Sequence, residues 1–324
     1  MKPLVHTLFA IAIAIAVAVT ASLAPAEEPW PSKSVKLVVP SSPGGGTDVF
    51  ARLLAQALGD SMNRQFIVEN RPGASGTVGA QAVASAPRDG YTFLVCANAS
   101  IAINPAFDMK LAYNVESDLA PVARGVMAVS ALIVNLDTGI KDIDDLVARA
   151  KREPEAFAFG SAGTATSLYL GARMIEEAGG VKFLHAPYKG IGPAYQDLLA
   201  GRLQFMYTDL ASAIQYVSAG RLKALAVDRK TPLLPGIPTF AEAGWPTIDS
   251  PTSFSVMAPS GVSLAVLRKM AAEVAKALKT LAPRLEQQAL VPVFDTPAEF
   301  AADLARERAR WASFVKRNRI TAEQ

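Results

Sequence analysis

The stretch VKLVVPSSPGGGTDVFARLLAQAL, Val35 to Leu58, decides the fold. Val35 to Val39 is an almost unbroken apolar run and reads as a buried strand, ended by Pro40 and the loop SSPGGG. Beyond the loop, Phe50, Leu53, Leu54, Ala57 and Leu58 recur at helical spacing, so a helix from about Thr47 to Leu58 turns one apolar face toward a sheet. Thr47 or a neighbour caps that helix, and Asp48 puts negative charge in its first turn. A buried strand that runs through a glycine loop into an amphipathic helix is the repeating unit of an α/β sheet.

The same grammar continues along the chain. Strands are expected at Phe66–Val68, Tyr91–Cys96, Val129–Val134, Phe157–Phe159, Phe183–Pro187, Gln204–Tyr207, Leu222–Val227 and Phe254–Ala258. Helices are expected at about 77–84, 143–152, 167–178, 193–200, 211–219, 264–281 and 297–317. Alternation of this kind predicts mainly parallel sheets with helices on both faces. It breaks near Pro121–Ala128, and again across 232–251, where prolines stand at 232, 235, 238, 246 and 251. The segment beyond has one strand and two helices, too little for a sheet of its own. Returning it to the first domain gives two α/β lobes joined by two crossings: 27–126 with 251–324 as lobe 1, and 127–250 as lobe 2.

Composition narrows the chemistry. One cysteine, Cys96, excludes a disulfide framework and any CxxC metal or redox motif. Basic residues number 32 and acidic ones 29, dispersed without a basic stripe, so no nucleic-acid partner is expected. At the start, Lys2 and His6 precede a charge-free apolar run from Leu8 to Val19, and Ala24-Pro25-Ala26 offers small residues before Glu27-Glu28. Residues 1–26 therefore read as a secretory signal peptide cleaved after Ala26, with an apolar run too short to span a membrane comfortably. Cleavage there would leave His185 as the one histidine, too few His and Cys for a usual zinc site. A secreted chain poor in metal ligands and in histidine looks like a binder; no metal or cofactor is expected.

Ligands bind at the carboxyl ends of strands in such sheets, where glycines admit the backbone and helix ends favour anions. Pro43–Asp48 has that character but lacks both the P-loop ending and the GxGxxG spacing. Phe159–Ser167, FGSAGTATS, repeats it, with Ser161, Thr164, Thr166 and Ser167 as hydroxyl donors and plain helix capping as the alternative role. Asp209 lies between a strand and a helix, either as an N-cap or as an acceptor for a ligand amine or hydroxyl. Asn98 and Ser100 follow a strand, and Ala74, Ser75 and Gly76 belong to another strand-to-helix loop. Lys189 and Arg71 read as ion-pair or surface charges, within reach of a distal carboxylate.

Seven ordered motifs then carry a resemblance: VVPSSPGGGTD (38–48), ENRPGASGTVGA (69–80), PRDGYT (87–92), FGSAGTATS (159–167), HAPYKG (185–190), DLLAGRLQFMYTDLAS (197–212) and MAPSGV (257–262). Together they resemble the periplasmic solute receptors of tripartite tricarboxylate transporters, often called Bug receptors. The resemblance implies a two-lobed periplasmic binding protein of the second structural type. Such a receptor closes on a small carboxylate and delivers it to permease subunits in the membrane, as a monomer. Carried over by position, Ser41, Ser42, Gly45, Gly46, Thr47, Ala74, Ser75 and Asn98 would line the first lobe. Ser161, Thr164, Thr166 and Asp209 would line the second. Ser41 stands where many relatives carry an aromatic residue, and Ser253-Phe254 where they often show a tryptophan, which suggests a bulkier or more polar ligand than a simple four-carbon acid.

Two other readings compete. An extracytoplasmic sensor would use the same cleft to present ligand to a signalling partner. A secreted hydrolase would need a GxSxG nucleophile elbow, which neither GASG nor FGSAG supplies, and would have to use His185, which sits in the strand-like FLHAPY.

Overall fold

The computed structural model describes residues 29–107, 110–153 and 156–321. The expected signal peptide at 1–26 lies outside them. Every element described below belongs to one compact unit, which begins at Lys33.

The deciding stretch folds as a strand, loop and helix as read, with the helix continuing four residues past its expected end at Leu58. β1 is Val35–Val39, and α1 runs Gly46–Met62. Phe50, Leu54 and Leu58 on the predicted face are fully buried, each contributing about 1.5–3 kcal/mol over exposure. The chain continues through β2 (Phe66–Asn70), α2 (Thr77–Ala84), β3 (Thr92–Ala97), the short α3 (Val115–Asp118), β4 (Leu119–Ala128) and β5 (Ser130–Asn135). Next come α4 (Ile143–Arg152), β6 (Ala158–Ser161), α5 (Ser167–Gly179), β7 (Leu184–Pro187), α6 (Ile191–Leu199), β8 (Phe205–Asp209), α7 (Leu210–Ser218) and β9 (Leu222–Val227). β10 (Thr252–Pro259), α8 (Leu264–Glu286), β11 (Leu290–Pro292) and α9 (Pro297–Arg317) complete it.

Two sheets result, ordered β11-β4-β10-β3-β1-β2 and β7-β6-β8-β5-β9. The expectation of mainly parallel sheets is corrected: both are mixed. β1 pairs parallel with β2 and β3, and β6 with β7 and β8. The pairings of β10 with β3 and β4, of β11 with β4, and of β5 with β8 and β9 are antiparallel. The cause is the traffic between sheets. β4 ends at Ala128 in the first and β5 begins at Ser130 in the second, so the chain crosses through Val129 alone. It returns along 228–251 into β10, which must run against its neighbours.

The break expected at 121–128 is instead a ten-residue strand. Pro121 fits because β11 reaches β4 only at Val126–Ala128, leaving its own missing N–H unneeded on that side, and because β10 shifts register beside it, between Val256 and Met257. α8 likewise runs past its expected end at 281, through Pro283 to Glu286, anchored by the fully buried Leu285. α9 opens with a capping box in which Thr296 and Glu299 serve each other's backbone, and it is held inward by the fully buried Trp311. Among the described residues no helix is long and apolar enough to cross a membrane.

Candidate ligand-binding cleft

Four helices begin at one cavity of about 80 Å³. Gly46 of α1, Ser167 of α5 and Ile191 of α6 border it as first helical residues, and Asp209 as the N-cap of α7. The caps differ in kind. Thr166 accepts the Tyr169 amide at 3.2 Å and Asp209 the Ser212 amide at 2.9 Å. At α1 and α6 the N-cap residues are Gly45 and Gly190, with no side chain to serve the first-turn amides. Two positive helix ends therefore open onto the cavity uncapped. Ser41 Oγ, also at the cavity, is buried without a hydrogen-bond partner among the described residues.

The first-lobe loop is braced from behind by Asp48. Its carboxylate accepts from the Gly44 amide at 3.0 Å, Arg52 Nε at 2.9 Å and Asn70 Nδ2 at 2.9 Å, while Asn70 also reaches the Ser41 carbonyl at 3.1 Å. Burial alone would raise the Asp48 pKa. The bonds from Arg52, Gly44 and Asn70 outweigh it and hold the carboxyl below its ordinary value. Asp209 is the opposite case: burial pushes its pKa up, countered by Ser212 but by no cation.

Loops from the two sheets touch. A Cβ on Gly163 would stand 2.3 Å from Ser75 Oγ, one on Gly190 2.3 Å from Ser42 Oγ, and one on Gly46 2.3 Å from Asp209 Oδ1. Glycine is required at these contacts by close approach. At Gly163 a φ of +118° adds a second reason.

Of the twelve residues proposed from sequence, the cavity gathers Ser41, Ser42, Gly45, Gly46, Thr47, Ser75, Thr166 and Asp209. The other four lie outside its lining. Ala74 precedes Ser75 with a φ of +45°. Asn98 is buried and donates to the Pro251 carbonyl at 2.9 Å and Glu307 Oε1 at 2.5 Å, tying β3's end to the second crossing and to α9. Thr164 is buried in the loop before α5. Ser161 is fully buried, with Oγ 2.7 Å from His185 Nε2 and accepting the Gly163 amide at 3.1 Å.

That serine–histidine pair does not make a hydrolase site. Ser161 does not border the cavity, and His185 is stacked against Phe159 and tilted onto Tyr169. Burial, with the Arg173 charge adding to it, pushes the imidazole down to about 4. Reading the sequence named Lys189 and Phe254 only in passing and missed Gly190 and Ile191 of the loop before α6 and Thr252 of β10, all of which border the cavity. Lys189–Gly190 has the signature of the other loops, a strand end followed by glycine and a helix. Thr252 and Phe254 carry no local signal, since only the second crossing brings them there. Leu168, Ile191 and Phe254 form apolar walls of the cavity.

A family model described as "Tripartite tricarboxylate transporter family receptor" matches residues 50–318. The chain belongs to that family. It is similar to Protein BugT of Bordetella pertussis, 32% identical over 293 residues, covering 89% of this chain and 90% of that one. Among solved structures it is similar to the R. palustris protein Rpa4515 with adipate, with 30% identity and a TM-score of 0.87, covering 90% of this chain and 99% of that one. It is also similar to MatC from Rhodopseudomonas palustris with bound malate, with 27% identity and a TM-score of 0.83 over 88% and 100% of the two chains. The fold is thus that of two-lobed periplasmic binding proteins, and the family's members are solute receptors.

Proposed function

We propose that this protein is a periplasmic receptor that closes its two lobes on a small carboxylate and delivers it to permease subunits of a tripartite-type transporter. The observation that carries the reading is the convergence of four helix N-termini on one cavity, two of them capped only by Gly45 and Gly190. Each such end favours an anion by about 0.3–1 kcal/mol when exposed and up to about 2 when partly buried. Ser41 and Ser75 add hydroxyls around it, while the Ser42 and Thr166 hydroxyls donate to the Lys189 and Gly163 carbonyls. The ligand is held without chemistry, in keeping with the receptor family and fold to which the chain belongs. The adipate and malate bound by two relatives agree with a small organic acid.

On this reading lobe 1 comprises 27–126 with 251–324 and lobe 2 comprises 127–250. The leader is removed after Ala26, no cofactor takes part, and the receptor works as a monomer. Closure is driven by the tighter binding of ligand to the closed arrangement. Native mass spectrometry of the protein purified from the periplasm, followed by calorimetry, tests it. A co-purified carboxylic acid that rebinds one-to-one supports the reading. An empty protein that ignores a panel of mono-, di- and tricarboxylates overturns it.

A further inference from the structure

Among the described residues bordering the cavity, two carry charged side chains, Asp209 and Lys189. They mark opposite ends of the Ser42–Gly46 loop. Asp209 is buried beside Gly46, where a Cβ would stand 2.3 Å from its Oδ1. Lys189 is exposed beside Ser42, whose Oγ donates to the Lys189 carbonyl at 3.4 Å. The Lys189 ammonium has no ion pair with any described residue. No other lysine or arginine among the described residues borders the cavity.

This polarity constrains a ligand with two acidic groups. One carboxylate is served by the uncapped amides of α1 and α6, beside Gly45 and Gly190. The second finds no cation to pair with inward, where among the described residues the buried Asp209 is the ionisable group bordering the cavity. It must point outward, to the end where Lys189 stands. A lysine suits that place: its flexible four-carbon stem carries three donors that can swing over the opening.

We propose that Lys189 is the specificity-determining residue that takes the outer acidic group of a dianionic ligand and so separates a diacid from a monoacid of the same length. The proposal rests on the reading of the cleft as a carboxylate site. Because the charge is exposed, its contribution falls with added salt.

The test is calorimetry with succinate, glutarate and adipate, each beside its half-amide, on the wild type, Lys189→Met and Lys189→Arg. The wild type is expected to bind at least one diacid about tenfold or more tightly than its half-amide, a difference of about 1.4 kcal/mol. Lys189→Met should bring the diacid down to the half-amide's affinity while leaving the half-amide unchanged. Lys189→Arg should keep most of the preference, and raising the salt should shrink it in the wild type. Equal binding of diacid and half-amide by the wild type, or a Lys189→Met variant that loses both alike or neither, overturns the role of Lys189 and leaves the carboxylate reading standing. Failure of the wild type to bind any diacid or half-amide overturns that reading, and this proposal with it.

Discussion

The loop from Pro40 to Gly45 and the loop from Ala162 to Thr166 each turn a buried strand into a helix end at the cavity, and they do so with different chemistry. The first has a glycine N-cap and is braced from behind by charge, through Asp48, Arg52 and Asn70. The second caps itself with Thr166 and is braced by neutral groups, Ser161 against His185 and Thr166 Oγ1 on the Gly163 carbonyl at 2.8 Å. One loop leaves its helix amides open; the other uses them. The difference separates a helix end that can hold a ligand from one that mainly shapes the wall.

The largest expected effect comes from preventing these walls from meeting. Gly190 has a φ of 165°, extended backbone that any residue adopts. A Cβ there would stand 2.3 Å from Ser42 Oγ and 2.8 Å from Ser42 Cβ. Forcing methyl groups into packed contact costs about 1–3 kcal/mol, or about 5- to 150-fold in ligand affinity. Gly190→Val should show a loss of up to that size by calorimetry, together with a lower melting temperature, since the contact belongs to the fold itself. Unaltered binding would mean that Ser42 and Gly190 part when ligand is held.

Comparable in size is the acid sensitivity of the neutral brace. His185 titrates at about 4 when folded against 6.5 ordinarily. The unfolded chain therefore binds more protons between those values. Stability from this site is complete above about 6.5 and is lost as pH falls toward 4. Allowing for partial exposure, the total is on the order of 2–3 kcal/mol. Urea unfolding of His185→Gln, which keeps an acceptor for Ser161, should lack this slope. An identical slope in the variant would place the titration elsewhere.

The charged brace responds at lower pH. Asp48 is held below the ordinary carboxylate value, so its contribution is complete above that value and disappears as pH falls through the folded one. Asp48→Asn faces an amide toward the donors of Gly44 and Asn70 and should cost about 2 kcal/mol at neutral pH, the scale of hydrogen bonds to a charged group. Unfolding midpoints for variant and wild type should converge in strong acid. A constant gap would show that packing, not charge, braces the loop.

These loops were legible because their signals are local. The apolar run at 35–39, the glycines behind it and the helical spacing from Phe50 specified β1 and the start of α1, which runs four residues past its expected end at Leu58, and α2, α4 and α9 fell where periodicity put them. Pairing across the chain was not legible. Nothing near Pro121 says that β11 reaches β4 only at its far end, and three residues at Leu290–Pro292 are too few for periodicity to mark. The site divides in the same way. Residues in strand-to-helix loops reach the cavity, whereas Asn98 has its amide drawn to Pro251 and Glu307, partners distant in sequence.

The smallest effects test the caps themselves. Thr166→Ala should cost about 1 kcal/mol of stability, the usual worth of a threonine N-cap, and Thr166→Ser should restore most of it. Gly45→Ser should do the reverse, adding a few tenths of a kcal/mol by giving α1 a side-chain acceptor. That acceptor would occupy the amides left open to an anion, so the more stable variant should bind ligand more weakly. A Cβ at position 45 would stand 3.3 Å from Ile191 Cγ2, a tight but adjustable contact. Gly45→Ala therefore serves as the control, supplying the crowding without the cap. If serine and alanine weaken binding equally, crowding accounts for the loss and the open amides of α1 are not what holds the ligand. If serine weakens it further while raising the melting temperature above that of alanine, the stability and the affinity of this helix end compete for the same N–H groups.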